Sequence, residues 1–483
     1  MRNTNKPHQI VKYYLKNLVL LLTLVFSNLF TEAQEAKTPN ILFIASDDLN
    51  NDMNVFDDPF VKTPNLDRLL KIGVRFDRAY NQYPWCSPSR ASLLTGRRPD
   101  ATQVNDLKTN FREHLPDAIT LPQLFKNNGY FSARVGKTFH YGVPNDIGTN
   151  GDDDPASWNH VVNPIGRDKT EEYRITNYTP ERGLGSSLSY WIADGTDDQQ
   201  TDGKVANEAV KIMKQHKDEP LFMAVGFFRP HTPYIAPKKY FDLYPLDKIQ
   251  MPEERANDWE NKPEAAKWNK ELHFGLDLHQ RKEILRAYYA SISFMDAQVG
   301  KLLDALEQLG TLDDTIIVFW SDHGYNVGQH GQWMKQSLFE HSARTPLIIS
   351  APGMAKNKIT ESIVEMLDIY PTIADLAGLK PPNEIQGKSL RKLMVQPELN
   401  WDNAAFTQVY RRPNKTNPNQ RIIDGRSVRY KQWRYTEWNN GEDGTELYDY
   451  DNDPKEFDNL ANKKEYEKIK EKLARKIYEL NQI

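Results

Sequence analysis

Cysteine is almost absent from this chain, with one residue, Cys86, among 483. No disulfide can form within the molecule, so its stability must come from packing. A strong charge of either sign is also missing. Lys and Arg number 62 against 66 Asp and Glu, a formal net charge of -4, so no global field draws the protein toward nucleic acid. A polyanionic ligand would have to be met by local basic clusters. Long apolar runs are scarce too. The conspicuous one, Leu18 to Phe30, is short of the roughly 20 residues that span a bilayer. Arg2, Lys6, Lys12 and Lys16 precede it, and Thr31-Glu32-Ala33 follows with small residues at cleavage spacing. Residues 1–33 therefore read as a signal peptide cut near Ala33, with no cysteine placed for a lipid anchor. The mature protein is expected to be exported, periplasmic or secreted, without a membrane anchor.

What is present is an ordinary globular mixture of apolar and charged residues. Short apolar runs at Asn40–Ala45, Pro220–Phe227 and Thr315–Trp320 have the look of strands buried on both faces. Each ends in polar groups: Ser46-Asp47-Asp48, Phe228-Arg229-Pro230-His231 and Ser321-Asp322-His323-Gly324. Between them Tyr289, Ile292, Met295, Val299, Leu302, Leu303 and Leu306 recur at helical spacing, with Gly310 placed to stop the helix. Alternating strands and helices predict an α/β fold, a large mainly parallel sheet sandwiched by helices. Ligands of such sheets bind beyond the carboxyl ends of the strands, where these polar groups lie. Residues 38–403 are assigned to this main domain, with loop-rich decoration near 145–204. Residues 404–483 are assigned to a smaller α+β domain of short antiparallel strands closed by a charged helix from Lys463 to Leu480.

A lone cysteine is usually a small buried hydrophobe. Cys86, however, opens the string Cys86-Ser87-Pro88-Ser89-Arg90, followed by Leu94-Thr95-Gly96-Arg97. Pro88-Ser89 can open a helix just after it, whose free N–H groups would favour an oxyanion. Arg90 adds a fixed cation with several donors. The carboxylates of Asp47, Asp48 and Asp322 and the imidazole of His323, at two strand ends, suit a hard cation better than zinc, which favours nitrogen and sulfur.

Cys-x-Pro-Ser-Arg with a downstream Leu-Thr-Gly resembles the signature of the formylglycine sulfatases of the alkaline phosphatase superfamily. The iduronate-2-sulfatase branch is the closest match, through Thr95-Gly96-Arg97-Arg98-Pro99-Asp100, Gly136-Lys137-Thr138-Phe139-His140, Pro230-His231-Thr232-Pro233 and Ser321-Asp322-His323-Gly324. The likeness runs from about Asn40 to Pro352, with a looser echo over Glu446–Asp449 and Asn459-Leu460. It departs in the long middle loops and at Gln103, where that branch is expected to carry arginine. It implies oxidation of Cys86 to formylglycine (3-oxoalanine) by a formylglycine-generating enzyme. It also implies one calcium ion on Asp47, Asp48, Asp322, His323 and the converted residue 86, although imidazole is an unusual calcium ligand. The catalytic set it implies is Cys86, Arg90, Lys137, His140, His231 and Lys335. In that scheme His231 or Lys335 protonates the leaving oxygen, and His140 takes a proton from the second geminal hydroxyl, expelling sulfate. The substrate implied is a sulfated carbohydrate, such as ulvan or a glycosaminoglycan. The competing readings are a formylglycine-dependent phosphonate monoester or phosphodiester hydrolase and an inactive glycan-binding protein. Trp158, Trp191, Trp333 and Trp438 are either sugar-stacking platforms or packing anchors, and are kept outside the catalytic set.

Overall fold

The central strand, β1 (Asn40–Asp47), shows why a parallel sheet forms here. Ile41, Phe43 and Ala45 point into one apolar cluster while Leu42 and Ile44 point into another, so both faces of the strand are covered. Fully burying a residue of this kind contributes about 1.5–3 kcal/mol, which favours the sandwiched arrangement over a sheet with one wet face. These relations come from a computed structural model that describes residues 38–269, 271–412 and 421–480. The expected signal peptide lies outside the described residues. Among the described residues no helix is long and apolar enough to cross a membrane.

The main sheet continues with β2 (Val74–Tyr80), β3 (Phe131–Gly136), β4 (His160–Val162), β5 (Leu221–Pro230), β6 (Thr315–Ser321), β7 (Leu347–Ser350) and β8 (Lys358–Glu365). Its spatial order is β8-β2-β7-β6-β1-β5-β3-β4, and only β7 runs antiparallel to its neighbours. The mainly parallel α/β sandwich expected from the sequence is the fold observed. Helices α1 (Pro64–Ile72), α3 (Thr201–Gln215) and α4 (Leu278–Leu309) cover one face. Helices α2 (Cys86–Thr95) and α5 (Ile369–Leu376) cover the other. In α4, the Asp277 carboxylate caps the start by accepting from the Gln280 amide. Gly310, at φ 67°, ends the helix as expected, donating to the Leu306 and Glu307 carbonyls.

Strand β5 extends three residues beyond the predicted Phe227. Both oxygens of buried Asp202 accept backbone amides there, from Phe228 and Arg229 at 2.9 Å each, so the extended chain is satisfied up to His231. The smaller C-terminal part is an antiparallel sheet in chain order, β9 (Ala404–Arg411), β10 (Ile423–Tyr430), β11 (Trp433–Trp438) and β12 (Thr445–Asp449). Helix α6 (Glu467–Leu480) buries Leu473 and Ile477 against it. From Pro39 on, the described residues pack as one compact unit. Val409, Trp438 and Tyr448 share a cluster with Tyr83, Leu338 and Phe339, which places the small sheet beside the segments leading to Cys86 and away from Lys335.

Candidate active site

Four adjacent parallel strands, in the order β6-β1-β5-β3, end at one edge of the sheet. Their last or following residues are Asp322-His323, Asp47-Asp48, His231 and Lys137. Cys86 reaches the same point from the start of α2. The sequence suggested a helix beginning after Cys86; instead the helix begins at Cys86, with extended Trp85 as its cap. The first helical bond runs from the Ser89 amide to the Trp85 carbonyl at 3.0 Å, and Cys86 and Ser87 keep amides without a helical partner. Whatever charge develops on residue 86 is thus met by the positive end of a helix.

Arg90, one turn along α2, is the hub. Its Nε donates to Asp322 Oδ2 at 3.0 Å and one terminal nitrogen to Asp47 Oδ1 at 3.0 Å. The other terminal nitrogen donates to the Lys137 and Thr138 carbonyls at 3.1 and 2.9 Å. The indole of Trp320 lies beneath, 5.5 Å from the guanidinium carbon. Burial would depress the charge on Arg90, but Asp322 and Asp47 hold it firmly protonated. Lys137 Nζ takes the second oxygen of Asp47 at 2.7 Å. Burial would raise the Asp47 carboxyl, yet Lys137, with His231 and Arg90, keeps it well below the usual carboxylate range.

The thiol of Cys86 is surrounded by polar groups. Lys335 Nζ stands 3.0 Å from Sγ, His323 Nε2 at 3.4 Å and Asp48 Oδ1 at 3.7 Å. Burial disfavours the thiolate, but Lys335, Lys137 and His323 outweigh it and bring the thiol well below its ordinary value. Lys335 itself is anchored to Asp48 Oδ1 at 2.6 Å and follows the hairpin of Asn326–Val327 with Trp333–Met334. His231 holds Nδ1 on the Thr232 carbonyl at 2.6 Å, which requires a proton there, and presents Nε2 to Asp48 Oδ2 at 3.6 Å. Burial keeps His140, a neighbour of Cys86, below the usual histidine value, so it rests as a neutral acceptor.

Asp48, Cys86, Asp322 and His323 have donor atoms within 4.8 Å of one another, a grouping able to hold a metal ion. Asp47 is not in this group; its two oxygens are engaged by Arg90 and Lys137. The fit to a hard cation is specific. Asp48 Oδ2 is buried without a hydrogen-bond partner, and two carboxylates converge with the Nε2 of an imidazole whose Nδ1 is held by the Gly324 carbonyl at 2.8 Å. A thiol sulfur is too soft for calcium, whereas oxygens on residue 86 would suit it. Burial alone would lower the His323 pKa, but Asp322 and Cys86 raise it to about 9; burial lifts Asp322 to about 6 against Arg90. An ion bound there would displace a proton from His323 at neutral pH.

Every site residue singled out from the sequence converges on this edge. Two supports were not anticipated. Tyr288 of α4 donates to the Asp48 carbonyl at 2.9 Å and accepts the Asn50 amide at 2.9 Å, supporting the left-handed Asp48 (φ 63°). Ser321 Oγ accepts the Leu49 amide and donates to the His323 carbonyl. A tyrosine in the middle of an amphipathic helix carries no sequence signal for such a role. Trp158, Trp191, Trp333 and Trp438 are all buried packing residues. A cavity of about 710 Å3 lined by Asp52, Met251, Tyr289, His341 and Phe457 contains none of the clustered groups, so the chemistry lies elsewhere.

Residues 39–379 match the family model described as sulfatase, and residues 328–483 match one described as N-sulphoglucosamine sulphohydrolase, C-terminal. The chain belongs to the sulfatase family. As a sulfatase it is a sulfuric ester hydrolase. Its relatives include a sulfatase of Formosa agariphila, 34% identical over 89% of this chain and 84% of that protein. The iduronate 2-sulfatase of Homo sapiens is 31% identical over 92% of this chain and 96% of that one. Two solved structures share the sulfatase's fold. One is a complex with its substrate D-glucosamine-2-N,6-O-disulfate, with TM-score 0.73 and 23% identity over 92% of this chain and 98% of that one. The other is the phosphonate monoester hydrolase of Agrobacterium radiobacter, with TM-score 0.72 and 24% identity over 92% and 95%.

Proposed function

We propose that this sulfatase is exported and removes sulfate esters from a sulfated polysaccharide or its oligosaccharides, uronate-containing polymers included, through a formylglycine made from Cys86. The observation that carries this reading is the position of Cys86, buried at the first turn of α2 with Lys335, His323 and Asp48 around its side chain. The names of the human relative, which acts on iduronate 2-sulfate, and of the glucosamine disulfate complex support a sulfated sugar as substrate. The pattern of residues 1–33 supports export.

Asp48, Asp322 and His323, with Asp47 beside them and an oxygen of converted residue 86, would hold calcium. When present, the hydrated aldehyde supplies a hydroxyl nucleophile and the ion supplies Lewis acidity. The remaining work falls to side chains of this chain. Arg90 fixes Asp47 and Asp322 and keeps both carboxylates ionised next to one another. Lys137 and Lys335 bring two cations to the place where a sulfate's charge must be met. His231, with Nδ1 tied to a carbonyl, can give a proton only from Nε2, which faces the site; a positioned acid of this kind contributes about 10²- to 10⁴-fold. Neutral His140 is suited to take a proton from residue 86. The slowest ester hydrolyses require accelerations approaching about 10²¹-fold, so these contributions must act together.

The deciding experiment is the mass of the peptide containing Cys86, measured with sulfate release from uronate-rich sulfated oligosaccharides, before and after chelation. An aldehyde mass is expected, with release lost on chelation and restored by calcium. A fully converted protein that releases no sulfate but cleaves phosphonate monoesters or phosphodiesters would favour the second reading, which the likeness to the Agrobacterium radiobacter fold keeps in view. Glycan binding without any product would mark an inactive binding protein.

A further inference from the structure

Arg182 has an unusual setting. Its guanidinium carbon lies 4.3 Å from the ring centre of Phe274 and 5.5 Å from that of Trp268. Its Nε donates to the Ser186 carbonyl at 2.8 Å. Among the described residues no carboxylate stands within ion-pair distance of it, and its two terminal nitrogens have no protein acceptor. The two rings lie against the guanidinium and Nε is spent on the Ser186 carbonyl, which leaves the terminal nitrogens, the part of the fork that binds a planar or tetrahedral anion, free for a ligand. Burial pushes its pKa below the ordinary arginine value, and the opposing influences of Glu181 and Tyr325 are smaller.

Two segments bearing proposed catalytic groups meet the turn that holds this arginine, and a third meets its Trp268 support. Gly185 lies against the segment that follows His140, so closely that a Cβ there would stand 2.3 Å from the Val143 carbonyl oxygen. The Ser187 carbonyl accepts from the hydroxyl of Thr232, the residue after His231. Trp268 donates its indole N–H to the Trp333 carbonyl at 2.7 Å, two residues before Lys335. Arg182 is therefore fixed between the segment of His231 and the hairpin of Lys335. The aromatic support is itself costly. His273 and Phe274 are consecutive residues in the left-handed region, at φ 55° and 52°, held in part by the Trp333 indole on His273 Nδ1 at 3.1 Å. Strain of this kind persists where the surroundings impose it and clusters at ligand contacts.

We propose that Arg182 is a substrate-binding residue that takes an anionic substituent, a carboxylate or a second sulfate, on the sugar that carries the scissile ester. The inference rests on the reading of this protein as a glycan sulfatase and adds a requirement for a second negative charge on the substrate. The fixed fork is organised before the ligand arrives, which reduces the ordering cost of binding. An arginine that merely pinned its own turn would not discriminate among substrates.

The test is steady-state kinetics of the wild type and Arg182→Gln, with formylglycine content matched by peptide mass. Substrates are a sulfated uronate disaccharide and its methyl ester, a disulfated sugar and its monosulfated counterpart, and a neutral aryl sulfate. The expected result is a KM raised about 10- to 100-fold on at least one second-anion substrate, with its neutral partner and the aryl sulfate within about twofold of wild type. The pair that responds identifies the group as carboxylate or sulfate, and Arg182→Lys should fall between. Equal losses on every substrate would mean a structural role and overturn the proposal, as would no loss on any. If wild-type enzyme released sulfate from sugars while Arg182→Gln matched it throughout, only the Arg182 assignment would fall. A converted wild type releasing none would remove the functional reading beneath it.

Discussion

At the scale of single residues, the site is governed by how buried charge is compensated. Asp47, Asp322, Lys137 and Arg90 are each almost wholly removed from solvent. Isolated charges in such a place would be severely penalised, so their mutual geometry decides whether the site exists. Arg90 is the member that cannot be replaced, because its fork reaches two carboxylates and two carbonyls at once. Arg90→Lys keeps the charge but reaches fewer of these acceptors, leaving a buried carboxylate exposed to its desolvation cost. Loss of one partner from a buried pair costs about 3–5 kcal/mol. Arg90→Lys should therefore lower Tm by several degrees and kcat/KM by at least about 100-fold, read by calorimetry and sulfate release. Unchanged Tm together with unchanged kcat/KM would contradict this account of the hub. Much of this scale is legible in the chain: Cys86 and Arg90 sit in one short string, and Asp47-Asp48 and Asp322-His323 mark strand ends. Tyr288 and Arg182 were not legible, since their roles depend on partners brought from distant parts of the chain.

At the scale of elements, what matters is how closely two strands can approach where they deliver their terminal residues. Strands β3 and β5 meet at Gly136 and Gly226, paired in register. Gly136 is left-handed at φ 75°, and a Cβ on Gly226 would stand 1.8 Å from the Lys137 carbonyl oxygen. That same carbonyl accepts from Arg90 at 3.1 Å. Gly226→Ala should therefore push Lys137 out of place. The expected loss is about 1–3 kcal/mol of stability, as overpacking typically costs, with a fall in kcat beyond what stability explains. Denaturant titration and sulfate release on the folded fraction would measure the two; wild-type kcat in a destabilised variant would show that the crossing serves stability alone. The apolar runs announced β1, β5 and β6, but not their last residues. Strand β5 runs on to Pro230 because Asp202, some twenty-five residues upstream, satisfies its final amides.

At the scale of the whole molecule, the small C-terminal sheet is tied to the segment that follows Lys335. Glu340 accepts from Tyr80 at 2.9 Å, from Tyr450 at 3.0 Å and from Arg434 on β11, while Arg434 Nε also pairs with Glu456 at 3.2 Å. Burial would raise the Glu340 carboxyl, but Arg434, followed by Arg429 and Arg344, lowers it from the ordinary 4.5 to about 2. A depressed folded-state pKa means that the stabilisation is complete above about pH 4.5 and is lost as pH falls toward 2. The difference corresponds to about 3 kcal/mol. Glu340→Gln should lower Tm at pH 7 and flatten its decline between about pH 4.5 and 2, followed by thermal melts across that range. A wild-type-like pH slope in the variant would remove Glu340 from the acid response.

The chain by itself determined the sandwich, because runs buried on both faces and amphipathic helices between them have few other ways to cover their apolar surface. It also determined the family, since Cys86, Pro88, Ser89 and Arg90 are adjacent and local. Tertiary structure alone decided the rest. Asp47 faces Arg90 and Lys137, and Asp48 faces Lys335 and His231, because parallel strands from four parts of the chain end at one edge; Arg182 rests on Trp268 and Phe274 because distant connecting segments pack together. Such long-range pairings leave no periodicity in sequence; they arise only when the folded sheet brings the ends together and burial makes each unpaired charge costly.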